Sequence, residues 1–234
     1  MKFVVNEPAA LIGRTLIISD VHLGLELELE RKGFFIKDYW KAEVLRLNSL
    51  LKKTKATKLI VLGDFKHDYY GLKYRETRLL DSFLKHLDCK DVIIVKGNHD
   101  SSLESLQGIT LIEPQGLVLK QGGKTFGLFH GHALPSKEVL ACDYLLLGNT
   151  HPTVEIKEGK DFVFYQKCWL VSTMKKTKNK VIVFPAFSEL VGGSPVNKEK
   201  PLGPLFNQGL VELKKAEVFL LSGLKLGLLK DLSK

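Results

Sequence analysis

Aspartate, histidine and asparagine recur directly after short apolar segments that have the composition of buried strands. A single such residue is more often a helix cap, a turn residue or a structural histidine, but several of them together are the usual composition of a metal site. The C-terminal ends of the strands of an α/β sheet meet at one edge, so we predict a common site there. The five segments are Asp20-Val21-His22, Gly63-Asp64, Gly97-Asn98-His99-Asp100, His130-Gly131-His132 and Gly148-Asn149-Thr150-His151.

The spacing within these segments suits metal binding. Alternate residues of an extended segment point the same way, so Asp20 and His22 can bind one ion together. Asp64 has two carboxylate oxygens and can bridge two cations, and Asn98 offers a neutral amide oxygen. All but one of the seven histidines lie in or beside the five segments, which favours a site over a purely structural role for the set.

Three strands separated by helices are predicted for the first half of the chain. The β-α-β-α-β order predicts a parallel sheet with helices packed on it. Residues 23–30 alternate apolar and acidic residues like a strand, whereas their Leu and Glu content favours a helix, so both interpretations stay open. The predicted strands are 15–19, 58–62 and 92–95, and the predicted helices run from Asp38 to Lys53 and from about Tyr74 to Leu87.

Short strands divided by Gly and Pro are predicted beyond Asp100, and they indicate antiparallel β-structure that forms or joins a second sheet. Residues 211–221 are predicted to form a closing hairpin that is broken near Lys214-Lys215-Ala216. The other predicted strands are 110–112, 117–119, 125–129, 144–147, 154–156, 162–165 and 181–184.

Length and composition indicate one intracellular domain of ordinary α/β size. The 234 residues fit a single domain, 1–234, with a full core. The net charge of +9 is carried mostly by lysine, which suits non-specific attraction to phosphate and equally suits solubility. The three cysteines have no CxxC spacing and indicate reduced core residues. With no signal-peptide pattern and no membrane-spanning stretch, we expect a cytoplasmic protein without membrane contact.

In order and approximate spacing, the five polar segments resemble those of the calcineurin-like metallophosphoesterase superfamily. The finer match is to the archaeal SbcD-related (ICC-like) phosphoesterases and covers about residues 15 to 205. It includes Gly63-Asp64-Phe65-Lys66-His67, His130-Gly131-His132 with Pro135, and Pro185-Ala186-Phe187 followed by Gly192-Gly193 and Val196-Asn197.

The resemblance implies a four-layer αββα sandwich, in which two mixed sheets lie between helices and a dinuclear metal centre lies at the strand ends. It implies His99 as the residue that faces the substrate, as proton donor or charge stabiliser. The mixture of N and O donors fits Mn, Fe, Zn or Ni better than Ca, and we expect two divalent ions, with Mn favoured. The implied ligands are Asp20, His22, Asp64 and His151 for one metal and Asp64, Asn98, His130 and Asn149 for the other.

The sequence departs from the family pattern at two positions. Asn149 stands where a histidine is usual, and an amide oxygen is a weaker ligand than imidazole for these metals. His67 stands where the family commonly has an aspartate that orients the histidine after Asn98. Lys66 and His132 are candidate contacts of a substrate phosphate, although a solvated lysine and a hydrogen-bonded structural histidine are the competing interpretations.

These residues predict a metal-dependent phosphoesterase. The resemblance to SbcD-related proteins and the basic charge favour a phosphodiesterase or nuclease over a monoesterase, a choice that the residues at the metals do not decide. The predicted partner is a phosphoester, including DNA or RNA, and the oligomeric state stays open. A nucleic-acid-binding or scaffold protein with a weakened metal site is the alternative that Asn149 favours. A small-nucleotide phosphodiesterase or phosphatase is the other alternative.

Overall fold

The computed structural model describes residues 1–70, 73–159 and 162–232 as two β-sheets with helices on their outer faces. The predicted domain of residues 1–234 extends two residues past the last described one. The strands are β1 (Lys2–Phe3), β2 (Ala10–Ile12), β3 (Thr15–Ile18), β4 (Lys58–Val61), β5 (Asp91–Val95), β6 (Thr110–Ile112), β7 (Leu117–Gln121), β8 (Lys124–Leu128), β9 (Tyr144–Leu147), β10 (Pro152–Glu158), β11 (Phe162–Thr173), β12 (Lys180–Val183), β13 (Ser194–Pro195), β14 (Glu217–Leu220) and β15 (Lys225–Leu228). The α-helices are α1 (Leu25–Arg31), α2 (Tyr39–Thr54), α3 (Tyr74–His86), α4 (Lys137–Leu140), α5 (Pro204–Asn207) and α6 (Leu229–Leu232).

The first sheet has the strand order β1-β2-β3-β4-β5-β6. Strands β3 to β6 are parallel, and Ile18 pairs with Val61, which pairs with Ile94, so three strands end at nearly the same level. The predicted parallel β-α-β-α-β unit is confirmed. The prediction that residues 110–112 are antiparallel is wrong, because the chain crosses back after Asp100 and places β6 parallel to β5.

The second sheet follows the order β13-β10-β11-β12-β9-β8-β7, and β14 and β15 extend it from β11. Strand β9 is parallel to both of its neighbours, β8 and β12, so the sheet is mixed rather than wholly antiparallel. This arrangement brings the C-terminal ends of β8 and β9 side by side, with Leu128 paired to Leu146.

Apolar side chains fill the three interfaces of a four-layer αββα sandwich, as the resemblance implies. Between the sheets, residues such as Ile17 and Ile60 face Trp169 and Phe184 in one buried cluster. A second cluster joins the first sheet to α2 and α3, and a third joins the second sheet to the short helices on its outer face. Because both faces of the central strands are buried, β3 and β4 are almost continuously apolar.

Two local predictions are settled by the structure. Residues 25–31 form helix α1, in agreement with the Leu and Glu content rather than with the alternation, and Leu25 and Glu26 are its buried residues. The closing hairpin was predicted at the wrong residues. Residues 213–215 form a 3-10 turn, and β14 pairs with β15 around a turn that follows Leu220. In the described part of the chain, no helix combines the length and the apolar character needed to cross a bilayer.

Candidate metal centre

Five of the residues predicted as metal ligands meet where strands of the two sheets end. Asp20 Oδ1 lies 3.0 Å from His151 Nε2 and 3.8 Å from His130 Nδ1. Asp64 Oδ2 lies 3.3 Å from His130 Nε2 and 3.7 Å from His22 Nε2. The Nε2 atoms of His22 and His151 are 3.4 Å apart. These groups form two overlapping clusters that could each hold a metal ion, one of Asp20, His22 and His151 and one of Asp20, Asp64 and His130.

The charges in this cluster are strongly coupled. Burial favours the neutral form of Asp20, but His151 and His130 outweigh it and hold the pKa of this carboxyl below its usual range. Burial works against protonation of His130, but Asp64 and Asp20 outweigh it and raise its pKa to about 9. Burial lowers the pKa of His22 to about 3 despite the opposite effect of Asp64 and Asp20. Protons on His130 therefore provide the positive charge that these carboxylates attract.

Main-chain carbonyl groups orient two of the imidazole rings. His130 Nδ1 lies 2.7 Å from the carbonyl oxygen of Leu62, and His151 Nδ1 lies 3.2 Å from that of Gly192. A ring that donates through Nδ1 presents the Nε2 lone pair on its other side. His130 Nε2 faces Asp64 and His151 Nε2 faces Asp20, so each ring can present Nε2 to a metal ion once this atom is unprotonated. Among the described residues, His130 Nε2 has no hydrogen-bond partner.

Asn98 and His99 lie beside Asp64. The main-chain N–H of His99 donates to Asp64 Oδ1 over 3.0 Å, and His99 Nε2 lies 3.8 Å from Asp64 Oδ2. The Nδ1 atom of His99 donates to the main-chain carbonyl of His67. The side-chain amide of Asn98 donates to the hydroxyl of Tyr69, while its Oδ1 atom is buried and has no hydrogen-bond partner among the described residues.

The backbone around the centre is sharply turned. Asp20, His22, Asp64, Asn149 and His151 all have positive φ, between 47° and 64°, which is uncommon for residues other than glycine. Glycines make room for the carboxylates. A Cβ atom at Gly97 would lie 2.2 Å from Asp64 Oδ1, and one at Gly148 would lie 2.4 Å from Asp20 Oδ2. Such concentrated strain is typical of functional sites.

The remaining predicted site residues have different surroundings. Asn149 donates its main-chain N–H to both carboxylate oxygens of Asp20, each over 3.2 Å. The ring of His132 lies 5.2 Å from that of His130, and its Nδ1 is buried with no hydrogen-bond partner in residues 1–70, 73–159 and 162–232. Lys66 is fully buried and its ammonium donates to the carbonyl of Asp68, so it points into the protein rather than to the open edge of the centre.

In the described part of the chain, no contact joins the ring of His99 to Asp68 or Asp100, the carboxylates that follow His67 and His99 in the sequence. Asp100 accepts hydrogen bonds of 2.8 Å from the main-chain N–H groups of Phe65 and Gly97, and so ties together the loops that follow β4 and β5. The main-chain carbonyl of His67 orients the ring of His99 instead.

Three further residues at the centre were not predicted as site residues. His67 clusters with His22 and His99, Tyr69 bonds Asn98 and packs its ring 3.8 Å from that of His99, and Glu28 contacts His67. His67 could have been found, because it lies three residues after Asp64, beside one of the five polar segments. Glu28 could not, because residues 23–30 had no assigned conformation.

Sequence comparison identifies the family. Residues 13–214, which make up most of the chain, match the calcineurin-like phosphoesterase family. The chain belongs to the calcineurin-like phosphoesterase family. A search of curated proteins found no match.

The chain is similar to solved structures of other proteins. The nuclease MPE of Pseudomonas putida is 22% identical, with 89% of this chain and 85% of that one covered and a TM-score of 0.59. The phosphoesterase Yfce of E. coli is 17% identical, with 91% of this chain and 96% of that one covered and a TM-score of 0.44.

The residues of this chain fit the divalent metals that the family typically uses. In the described part of the chain, His130 Nε2 and Asn98 Oδ1 are buried without hydrogen-bond partners, and each could contact a cation, His130 Nε2 after loss of its proton. Carboxylate and imidazole donors converge on the same space, and this mixture suits transition-metal ions. The arrangement can therefore bind divalent cations.

Proposed function

We propose that this protein is a metal-dependent phosphodiesterase. The observation that carries the proposal is the position of Asp64, whose Oδ2 atom lies within 3.7 Å of His22 Nε2 and 3.3 Å of His130 Nε2. One carboxylate between two imidazoles of different sheets is suited to serve two cations at once.

The proposed ligands are those implied by the sequence. One ion would be held by Asp20, His22, Asp64 and His151, and the other by Asp64, Asn98, His130 and Asn149. Two divalent cations, when bound here, would neutralise phosphoryl oxygens and supply an activated water. We propose manganese as the native metal, because these N and O donors suit it and the neighbouring transition metals.

His99 is the proposed catalytic residue. Its Nδ1 atom is engaged by the carbonyl of His67, so Nε2 is the ring atom available to a substrate. Because His99 Nε2 faces Asp64, a phosphoester held beside Asp64 would lie within reach of this ring atom. The protonated ring would stabilise charge on the phosphoryl group or donate a proton to the leaving oxygen. We propose that half-buried His132 contacts a substrate phosphate, and we do not assign that role to Lys66.

Nucleic acid is the proposed substrate class, with the protein acting in the cytoplasm. The net charge of +9 favours a polyanion, and the nuclease MPE has the same fold. The finer relationship to the SbcD-related phosphoesterases, which the motifs favour, agrees with this choice. Three buried free cysteines suit a reducing compartment.

A substrate panel tests the proposal. The metal-free protein supplied with Mn²⁺ is expected to hydrolyse bis(4-nitrophenyl) phosphate faster than 4-nitrophenyl phosphate, and to cleave single- or double-stranded DNA. Preference for the monoester would contradict the diesterase assignment. Hydrolysis of cyclic nucleotides or dinucleotides without cleavage of DNA would show that the substrate class is small nucleotides rather than nucleic acid.

A scaffold or nucleic-acid-binding role is the second candidate, and Asn149 is the residue that favours it. Its side chain is a weaker metal ligand than the histidine usual in the family, and a loosely bound second ion would lower activity. DNA binding with no hydrolysis at millimolar Mn²⁺ would support this alternative.

A further inference from the structure

His67 lies between a metal-facing histidine and a surface carboxylate. Its Nδ1 atom is 3.3 Å from Nδ1 of His22, and its Nε2 atom is 2.9 Å from Glu28 Oε2. Glu28 belongs to α1, which passes beside the loop that carries His67. The three side chains form a continuous chain from the protein surface to the proposed metal centre.

The chemistry of these groups allows one arrangement of protons that leaves His22 able to bind a metal. The Glu28 carboxylate accepts only, so His67 must carry a proton on Nε2. His22 faces the other ligands through Nε2, which must be unprotonated to bind a cation. Its proton must then lie on Nδ1 and be donated to the unprotonated Nδ1 of His67.

The opposite arrangement would block the centre. If the shared proton belonged to His67 Nδ1, a neutral His22 would carry its own proton on Nε2. That N–H would point toward Asp64 Oδ2, 3.7 Å away, where a cation is expected. A neutral His67 that donates to Glu28 cannot take this form, because its single proton is already on Nε2.

We propose that Glu28 and His67 are positioning residues that fix His22 as the Nδ1–H tautomer and so prepare it to bind metal. The inference rests on the metal centre of the proposed function. Histidine ligands usually donate their second nitrogen directly to a carboxylate or a carbonyl, as His130 and His151 do here. At His22 the imidazole of His67 lies between the ligand and the carboxylate of Glu28. The hydrogen bond from His67 to Glu28 therefore determines which nitrogen of His22 carries the proton.

The tautomers can be measured without substrate. Long-range ¹H–¹⁵N correlation spectra of the metal-free protein are expected to show His22 protonated on Nδ1 and His67 protonated on Nε2. In His67→Phe, His22 is expected to shift toward the Nε2–H tautomer, because its Nδ1 atom loses its partner while Nε2 still faces the carboxylate of Asp64. The main-chain carbonyl that holds His99 is kept in this variant.

Mn²⁺ titration by calorimetry provides the second measurement. His67→Phe is expected to weaken binding about tenfold with an unchanged number of ions, which is the usual effect of removing a partner of a metal ligand. Glu28→Gln is expected to weaken it less, because an amide can still accept from His67. The matched controls are Glu30→Gln on the same helix and His86→Phe on α3, and neither should change affinity.

Three outcomes would overturn the proposal. One is a His22 tautomer that is Nε2–H in the parent protein or unchanged in His67→Phe. Another is unchanged Mn²⁺ affinity in both variants. The third is loss of a whole equivalent of Mn²⁺ in His67→Phe, which would make His67 a ligand in a site with His22 and His99. If His67→Phe does not fold, the tautomer of His22 in the parent protein and the Mn²⁺ affinity of Glu28→Gln decide. Failure to hydrolyse phosphodiesters would count against the proposed function alone.

Discussion

The two sheets support their parts of the metal centre differently. The first-sheet half consists of Asp20, His22, Asp64, Asn98 and His99, and the second-sheet half consists of His130, Asn149 and His151. In the second-sheet half, main-chain carbonyls hold both imidazoles. In the first-sheet half, the side chain of His67 contacts His22 and that of Tyr69 contacts Asn98.

This difference determines where substitutions act. A main-chain carbonyl persists when its own side chain is changed, so the binding strength of the second-sheet half depends mostly on the identity of its ligands. We expect Asn149 to weaken it, because an amide oxygen is a weaker ligand than imidazole. The first-sheet half depends also on side chains that contact no metal, and it can be altered from outside the centre.

The largest expected effect comes from Asp64→Asn, because Asp64 is the carboxylate that both halves share. We expect turnover to fall to the level of the chelated protein and binding to fall below two Mn²⁺ per chain. Elemental analysis and hydrolysis of bis(4-nitrophenyl) phosphate measure the two effects. Asp91→Asn at the opposite end of β5 is the control, since Asp91 pairs with Lys58. Normal turnover in Asp64→Asn would show that the halves do not share this ligand.

His99→Ala separates catalysis from metal binding within the first-sheet half. We expect about a 100- to 10,000-fold loss of turnover, the range for removal of a general acid, with both metals retained. His86→Ala provides the control for loss of an imidazole elsewhere. Loss of a metal ion from His99→Ala would reassign His99 as a ligand.

Proton release should distinguish the halves. The pKa of His130 is raised to about 9 and that of His22 is lowered to about 3, so at pH 7 a cation must displace a proton from His130 and none from His22. Metal affinity is therefore expected to rise about tenfold per pH unit between pH 6 and 8. Calorimetry in buffers of different ionisation enthalpy counts the protons. Affinity that is independent of pH over this range would contradict the assignment.

Asn149→His is expected to have the smallest effect. Imidazole is a better ligand than an amide for Mn, Fe or Zn, so the variant should require less metal for half-maximal activity. A tenfold gain, about 1.4 kcal/mol, is the upper range we expect. If the variant needs as much metal as the parent protein, Asn149 either is an adequate ligand or does not face the centre.

The sequence was most informative where periodicity and strand composition agreed. The parallel strands β3, β4 and β5 and the helices α2 and α3 are found close to their predicted positions, because apolar strands that are buried on both faces leave little ambiguity. Residues 23–30 and the closing hairpin were less predictable. Their conformation depends on tertiary packing against the sheet rather than on local preference.

The position of supporting residues could not be obtained from sequence. Polar residues at strand ends predicted which side chains would meet, and Asp20, His22, Asp64, His130 and His151 do meet. The burial of Lys66, by contrast, depends on a turn that directs its ammonium to the carbonyl of Asp68. The contact of Glu28 with His67 joins a helix and a loop 39 residues apart, and no local pattern encodes it.

Anomalous diffraction at the manganese absorption edge, from crystals of the Mn²⁺-loaded protein, tests the central claim most directly. We predict two peaks that share Asp64, one beside Asp20, His22 and His151 and the other beside Asn98 and His130. A single peak, or a peak among His22, His67 and His99 in place of these two, would contradict the account.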